Sequence, residues 1–307
     1  MMLSGVLFTV VAIVAVTAEE ELHCGQPAIS GLAARNGNRI INGQDVTPNS
    51  VPWQAAFLKA SSKQQICSAS IISDRWLLTA AHCCKAYGIR PSTYAVTVGA
   101  HNLKKREDTT TTHTLSHVIV QPGHQNGTQF SNDMCLVKTT LPMVFTDAVS
   151  PVCLADVSPA VGDECIVTGW GDTVGARPKP FASFEEYTRY LDLVGSGLVS
   201  EQVDESVRGP SNTLKSVSVN VVDSEECGRG YPTIPIGEDM LCAGNDYKGS
   251  CRGDSGGPLV RINEDGHFDL VGVVSWGAVP CAPPGKPGVF SRVTHFREWI
   301  ESTMAAN

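Results

Sequence analysis

A serine surrounded by glycines is the feature of this sequence that most strongly indicates catalysis. Ser255 lies within GSCRGDSGGP, residues 249–258. The glycines leave the backbone N–H groups of Gly253 and Ser255 free of side-chain cover, so both can point at an oxygen held near the serine Oγ, as an oxyanion hole requires. A serine hydroxyl is a weak nucleophile until a base takes its proton, so this interpretation requires a histidine and a third group that orients it.

Two further residues meet this requirement. His82 follows an apolar run, residues 71–78, and Asp133 precedes another, so both are expected at the ends of buried strands. His82 would act as the general base, Asp133 would orient it, and Ser255 would be the nucleophile. A core histidine or a turn aspartate is the better interpretation of either residue alone, but not of all three in the order His82, Asp133, Ser255.

With its catalytic residues in this order, the sequence resembles the trypsin/chymotrypsin family of secreted serine proteases, and its pattern is most similar to chymotrypsinogen. The resemblance extends over residues 40–307. It implies an all-β fold of two six-stranded antiparallel β-barrels followed by a C-terminal helix. The first barrel would carry His82 and Asp133 and the second Ser255, so that the triad meets in the cleft between them.

Composition agrees with an exported all-β enzyme. The chain has 307 residues, 29 glycines, 18 prolines and short apolar runs between turn residues. Eleven cysteines suit an oxidising compartment. The net charge of -8 argues against binding of nucleic acid by bulk electrostatics.

The chain divides into three segments. Residues 1–18 contain a short apolar core and then small residues, which predicts a secretory signal peptide rather than a membrane anchor. The resemblance makes residues 19–39 an activation propeptide and residues 40–307 the catalytic domain. We therefore expect a secreted, extracellular protein with no membrane or nucleic-acid partner.

The resemblance also implies activation by proteolysis. Cleavage after Arg39, by a trypsin-like protease, would free the α-amino group of Ile40. That cation would pair with Asp254, next to the nucleophile, and would shape the oxyanion loop. The uncut chain is therefore expected to be an inactive zymogen.

Five disulfides are expected. A hydrogen bond between His82 and Asp133 would bring Cys84 and Cys135 within the usual Cα separation of about 4.4 to 6.8 Å, although two buried thiols are the alternative. Cys165 should be a free thiol, because its usual partner position in the family is Arg261 here. The mature enzyme would be a monomer of two disulfide-linked chains. The resemblance implies the four other pairs: Cys24–Cys153, Cys67–Cys83, Cys227–Cys242 and Cys251–Cys281.

The resemblance also identifies a substrate pocket. Gly249 would lie at its floor, where an enzyme that cuts after Lys or Arg needs a carboxylate, and Gly277 and Gly288 would form its walls. Such an open, uncharged slot favours large apolar or aromatic side chains. Arg252 at the rim could favour acidic residues on the leaving side of the substrate. The residues assigned to substrate binding are Gly249, Ser250, Arg252, Ser275, Trp276, Gly277 and Gly288.

The sequence thus predicts a secreted serine endopeptidase that acts on proteins or peptides and that serine protease inhibitors could regulate. An elastase-like preference for small aliphatic residues and a catalytically silent binding protein remain as alternatives. No cofactor or metal is expected. Asn126 begins an Asn-Gly-Thr sequon and is a candidate glycosylation site. An insertion between Gly171 and Leu214, about thirty residues longer than is usual in the family, could be an exosite, a lid or a solvated loop.

Overall fold

The computed structural model describes residues 24–32, 43–173 and 209–307. Its strands are β1 (Gln44–Asp45), β2 (Gln54–Lys59), β3 (Gln64–Ile71), β4 (Trp76–Thr79), β5 (Tyr94–Val98), β6 (Thr111–Val120), β7 (Cys135–Thr139), β8 (Cys153–Leu154), β9 (Glu164–Gly169), β10 (Lys215–Val222), β11 (Met240–Ala243), β12 (Pro258–Ile262), β13 (Phe268–Trp276) and β14 (Gly288–Arg292). The helices are α1 (Ala81–Lys85), α2 (Ser224–Gly230) and α3 (Val293–Ala306).

The strands form two closed antiparallel barrels of six strands each, as the sequence predicted. The first barrel has the order β2-β3-β4-β7-β6-β5, with β5 pairing back onto β2. The second has the order β9-β10-β11-β14-β13-β12, with β12 pairing back onto β9. The short strands β1 and β8 add to the outside of the second barrel, on β10 and β13.

Alternating side chains explain how these strands close around a core. In β10, Val217, Val219 and Val221 are buried, and the residues between them are partly exposed. Strands β2 and β4 are buried almost throughout, because one face fills the barrel and other parts of the chain cover the opposite face. Burial of these apolar side chains is the main favourable term in folding.

Helix α3 ends the chain, as expected. Val293, Phe296 and Ile300 lie on one face at helical spacing and are buried against the barrels. Arg297 fixes the outer face by donating to the Leu154 carbonyl at 2.7 Å and pairing with Asp156 at 2.7 Å. No helix within the described ranges is long and apolar enough to cross a membrane.

Five disulfides are present, with the predicted partners. The first joins the N-terminal segment, residues 24–32, to β8, and Leu32 of that segment is buried in the core. Cys165 is a free, buried thiol, and burial raises its pKa to about 12. The disulfides are Cys24–Cys153, Cys67–Cys83, Cys84–Cys135, Cys227–Cys242 and Cys251–Cys281.

Candidate active site

Strand pairing brings His82 and Asp133 together. Thr79, the last residue of β4, is opposite Cys135, the first residue of β7. His82 lies three residues after Thr79, in α1, and Asp133 lies two residues before Cys135. The His82 ring donates from Nδ1 to Asp133 Oδ2 at 2.7 Å, and the His82 backbone N–H donates to Oδ1 at 2.8 Å. Both carboxylate oxygens therefore fix the position and tautomer of the imidazole.

The surroundings of this pair favour charge on both partners. Asp133 is 3% exposed, and Ser275 Oγ donates to its Oδ2 at 2.6 Å. Burial would raise the pKa of Asp133, but the hydrogen bonds and the charge of His82 hold it below its usual value. Burial would likewise lower the pKa of His82, but Asp133 outweighs this effect and raises it above 6.5.

The backbone N–H groups of the loop around Ser255 fall into two sets, those with a hydrogen-bond acceptor in the described chain and those without one. The N–H groups of Asp254, Gly256 and Gly257 donate to backbone carbonyls. Those of Gly253 and Ser255 donate to no acceptor among the described residues. Gly253 has a φ of +96°, a conformation that favours glycine. The two free N–H groups are the ones expected to form the oxyanion hole.

Strand β3 of the first barrel holds this loop of the second barrel. The Ser68 backbone N–H donates to the Ser255 carbonyl at 2.8 Å, and Gln65 Nε2 donates to the Gly253 carbonyl at 3.2 Å. A side chain at Gly256 would clash with the Ser68 carbonyl, so a glycine is needed where the barrels meet. No sequence pattern identifies Gln65, because its contact depends on how the two barrels pack.

No hydrogen bond joins Ser255 Oγ to His82 in the part of the chain that the structure describes. His82 Nε2 lies 3.6 Å from Cys83 Sγ, on the Cys67–Cys83 disulfide. That sulfur is oxidised, so it offers no thiolate to a metal ion. Contacts between a nucleophile and its base often shorten only when substrate binds, so the arrangement is compatible with proton transfer from Ser255.

Asp254 is completely buried behind the nucleophile. Its Oδ1 accepts from the Gly171 N–H at 2.8 Å, and its Oδ2 accepts from the Cys251 N–H at 2.9 Å. No Lys, Arg or His within the described ranges pairs with it, and burial raises its pKa to about 7. A cation placed here would be strongly favoured. The predicted activation residues Arg39 and Ile40 lie outside the described residues.

A pocket opens beside Ser255. No Asp or Glu of the described chain lines it, and the cations at it are Arg252 and Lys286. Sequence analysis missed Lys286, which reaches the pocket through the loop that follows Cys281. The lining includes all seven residues assigned from the sequence, Gly249, Ser250, Arg252, Ser275, Trp276, Gly277 and Gly288, together with Ser255, Val274, Ala278, Val279, Cys251, Cys281, Ala282 and Lys286.

Aromatic side chains pack around Trp276, which lines the pocket. The Trp276 ring stacks on Phe130 at 4.7 Å and meets the edge of Tyr231 at 4.8 Å. Phe130 belongs to the loop that leads to Asp133, and Asn126 of the same loop is exposed. A glycan on Asn126 would therefore lie beside the cleft. Most of the insertion between Gly171 and Leu214, residues 174–208, lies outside the described ranges.

Comparisons with known proteins agree with this geometry. The family model described as Trypsin matches residues 40–185 and 189–300. Kallikrein-8 of Mus musculus is 34% identical over 280 residues, which cover 90% of this chain and 91% of the relative. Kallikrein-11 of Homo sapiens is 35% identical over 274 residues, or 88% of this chain and 82% of the relative.

A solved structure is also similar to this chain. It is described as neuropsin, a serine protease expressed in the limbic system of mouse brain. The two superpose with a TM-score of 0.67 and are 32% identical, over 85% of this chain and 98% of the other.

Proposed function

Because the chain belongs to the trypsin family of serine proteases, it is a serine endopeptidase, and we propose that it is a secreted one, made as a zymogen, that cuts after large apolar or aromatic residues. The pocket carries the proposed specificity. It has no carboxylate to attract Lys or Arg, and two of its wall residues are glycines.

The walls favour a wide pocket over an elastase-like one. Gly277 and Gly288 are neighbours where β13 pairs with β14, and a Cβ built on Gly277 would lie 3.8 Å from the Gly288 Cα. Both residues line the pocket, and neither projects a side chain into it. A Cβ on Gly249 would make only an ordinary contact, at 3.5 Å from the Ala282 Cβ. A preference for small aliphatic residues would require bulk at one of these positions.

The mechanism follows from the positions of the charged groups. His82 takes the proton of Ser255 as Oγ attacks the peptide carbonyl, and Asp133 stabilises the resulting imidazolium. The N–H groups of Gly253 and Ser255 hold the oxyanion. His82 then gives its proton to the leaving amine, an acyl-enzyme forms, and water attacks it by the same route in reverse. The intact triad argues against a silent binding protein.

Activation would supply the cation that Asp254 lacks. A trypsin-like protease would cut after Arg39, and the ammonium of Ile40 would pair with the buried carboxylate. The Cys24–Cys153 disulfide would keep the propeptide attached, so the active protein would be a monomer of two linked chains. Its partners would be protein or peptide substrates, the activating protease and serine protease inhibitors.

The test is hydrolysis of three peptide anilides, ending in Phe, Arg and Ala, before and after cutting by immobilised trypsin that is then removed. N-terminal sequencing confirms the Ile40 terminus, and Ser255→Ala is treated identically. We expect activity mainly on the Phe anilide, only after cutting and only with Ser255.

Two other outcomes would support the alternatives. A higher rate on the Ala anilide would support the elastase-like alternative. No hydrolysis by a protein with a free Ile40 terminus would support the silent homologue.

A further inference from the structure

The structure shows which elements border the leaving side of a substrate. The leaving amine receives its proton from His82 Nε2, so the residues after the cut bond must pass that atom. The disulfide 3.6 Å from Nε2 joins Cys67 of β3 to Cys83 of α1. The β2–β3 hairpin and the loop after α1, residues 86–93, therefore flank the leaving side.

These two elements contact each other and reach the nucleophile loop. The Ala60 N–H, in the hairpin, donates to the Thr93 carbonyl at 2.9 Å. Lys59 Nζ lies over the Tyr87 ring, 4.3 Å from its centre. Gln65 Nε2, also in the hairpin, donates to the Gly253 carbonyl, next to Arg252. The hairpin, the loop and Arg252 thus form one continuous surface beside Ser255.

The charge of this surface is opposite to that of the molecule. The chain carries a net charge of -8, yet the hairpin and the loop together contain three Lys or Arg, namely Lys59, Lys63 and Arg90. The hairpin, residues 54–71, and the loop contain no Asp or Glu. Such a separation of charge attracts ligands of the opposite sign to one face.

Four cations lie on these elements: Lys59, Lys63, Arg90 and Arg252. Within the described part of the chain, none of the four forms an ion pair with a carboxylate. All but Lys59 are exposed, and Tyr87 in the same loop is 50% exposed. The surface therefore offers unpaired positive charge together with an apolar ring.

We propose that Lys59, Lys63, Arg90 and Arg252 form a leaving-side basic surface that selects substrates with Asp or Glu in the residues just after the cut bond. The inference rests on the proposed endopeptidase activity and names a second determinant of its substrate class. An extended chain advances about 3.3 Å per residue, so the residues just after the cut bond would pass the hairpin and loop in turn.

The test uses the activated enzyme and quenched fluorescent peptides that share an acyl side ending in Phe. Their leaving sides differ only in two residues, Asp-Glu, Asn-Gln or Lys-Lys. We expect kcat/KM to be about tenfold higher for the acidic than for the amide peptide at low salt, with the ratio falling as salt screens the charges. The Lys-Lys peptide should be cut most slowly.

Matched variants distinguish an effect of this surface on the acidic-to-amide ratio from an effect of net charge. Lys63→Gln combined with Arg252→Gln should bring the acidic-to-amide ratio close to one. Lys138→Gln combined with Arg229→Gln removes the same charge elsewhere and should leave the ratio unchanged. A wild-type ratio near one, or a ratio that the first pair does not lower, would overturn the inference.

A Phe anilide with no leaving-side residues is measured in parallel. Its hydrolysis shows that the proposed activity holds, whatever the peptide ratio. If the activated chain does not hydrolyse it, the proposed function fails and this inference fails with it.

Discussion

At the scale of the residue, Asp133 determines how readily His82 accepts a proton. Only neutral His82 can deprotonate Ser255, and its pKa is raised above 6.5 by Asp133. The kcat/KM of the activated enzyme should therefore rise with pH through a midpoint above 6.5. Asp133→Asn should lower kcat by about 10⁴-fold, the loss known for this change in the family's reference enzyme, and should move the midpoint down.

The pH profile on a Phe anilide checks this expectation. Ser275→Ala is a milder control, because it removes one donor to Asp133 and leaves the carboxylate in place. An unchanged midpoint in Asp133→Asn would mean that another group controls the pKa of His82.

Gly249 should determine which side chain the pocket accepts, because it contributes no charged side chain of its own. A Cβ at this position makes only an ordinary contact, 3.5 Å from the Ala282 Cβ, and an Asp here would bring a carboxylate to the pocket. Gly249→Asp should raise the ratio of kcat/KM for Arg over Phe anilides by about 100-fold. Gly249→Asn introduces a side chain of the same size as Asp but without its charge, so it should raise this ratio far less. Equal ratios in the two variants would show that Gly249 does not face the substrate side chain.

At the scale of the element, the Cys84–Cys135 disulfide joins α1 to β7 beside both His82 and Asp133. It closes a loop across 51 positions, and a loop of that length corresponds to about 4 kcal/mol of unfolding free energy in the chain-entropy account. Cys84→Ala combined with Cys135→Ala should lose stability of that order. It should also lower kcat more than it raises KM, because the base and its orienting group become less fixed.

Denaturant unfolding and steady-state kinetics measure the two effects. Cys165→Ala is the matched control, since it removes a buried sulfur that closes no loop. If the double variant kept wild-type kcat, the disulfide would have no role in holding the triad.

The elements also show what could be predicted from sequence. His82 and Asp133 each stand beside an apolar run, and their order along the chain with Ser255 identified them as catalytic residues. A strand pair then brings the two together. Gln65 and Lys286 reach the site only because a hairpin and a distant loop pack against the nucleophile loop. Neither has a local signature, and their roles depend on contacts between segments far apart in the chain.

At the scale of the whole molecule, Asp254 links proteolysis to stability. Its pKa in the folded uncut chain is about 7, against 3.8 for an unperturbed carboxyl. Between these values the folded chain keeps a proton that the unfolded chain has lost, so raising the pH through this window lowers the free energy of unfolding. Pairing with the Ile40 ammonium would lower the pKa of Asp254 in the folded chain and would remove this loss of stability.

The melting temperature of the cut form should therefore exceed that of the uncut form by more at pH 8 than at pH 5. Thermal unfolding of Ser255→Ala protein, which cannot digest itself, measures this difference. Asp254→Asn should make the difference independent of pH. A difference that shrinks toward pH 8 would show that Ile40 does not pair with Asp254.

The contacts from β3 to the Gly253 and Ser255 carbonyls have a consequence for how the enzyme loses activity when it unfolds. Strand β3 of the first barrel holds the nucleophile loop of the second barrel by hydrogen bonds. An unfolding intermediate that retains only the second barrel would therefore lack these bonds and would also lack the general base, His82. Turnover would then cease at the moment the first barrel opens, even while half of the sheet structure survives. The rate of inactivation would then measure how long the first barrel stays folded. Circular dichroism would measure the loss of sheet structure from both barrels.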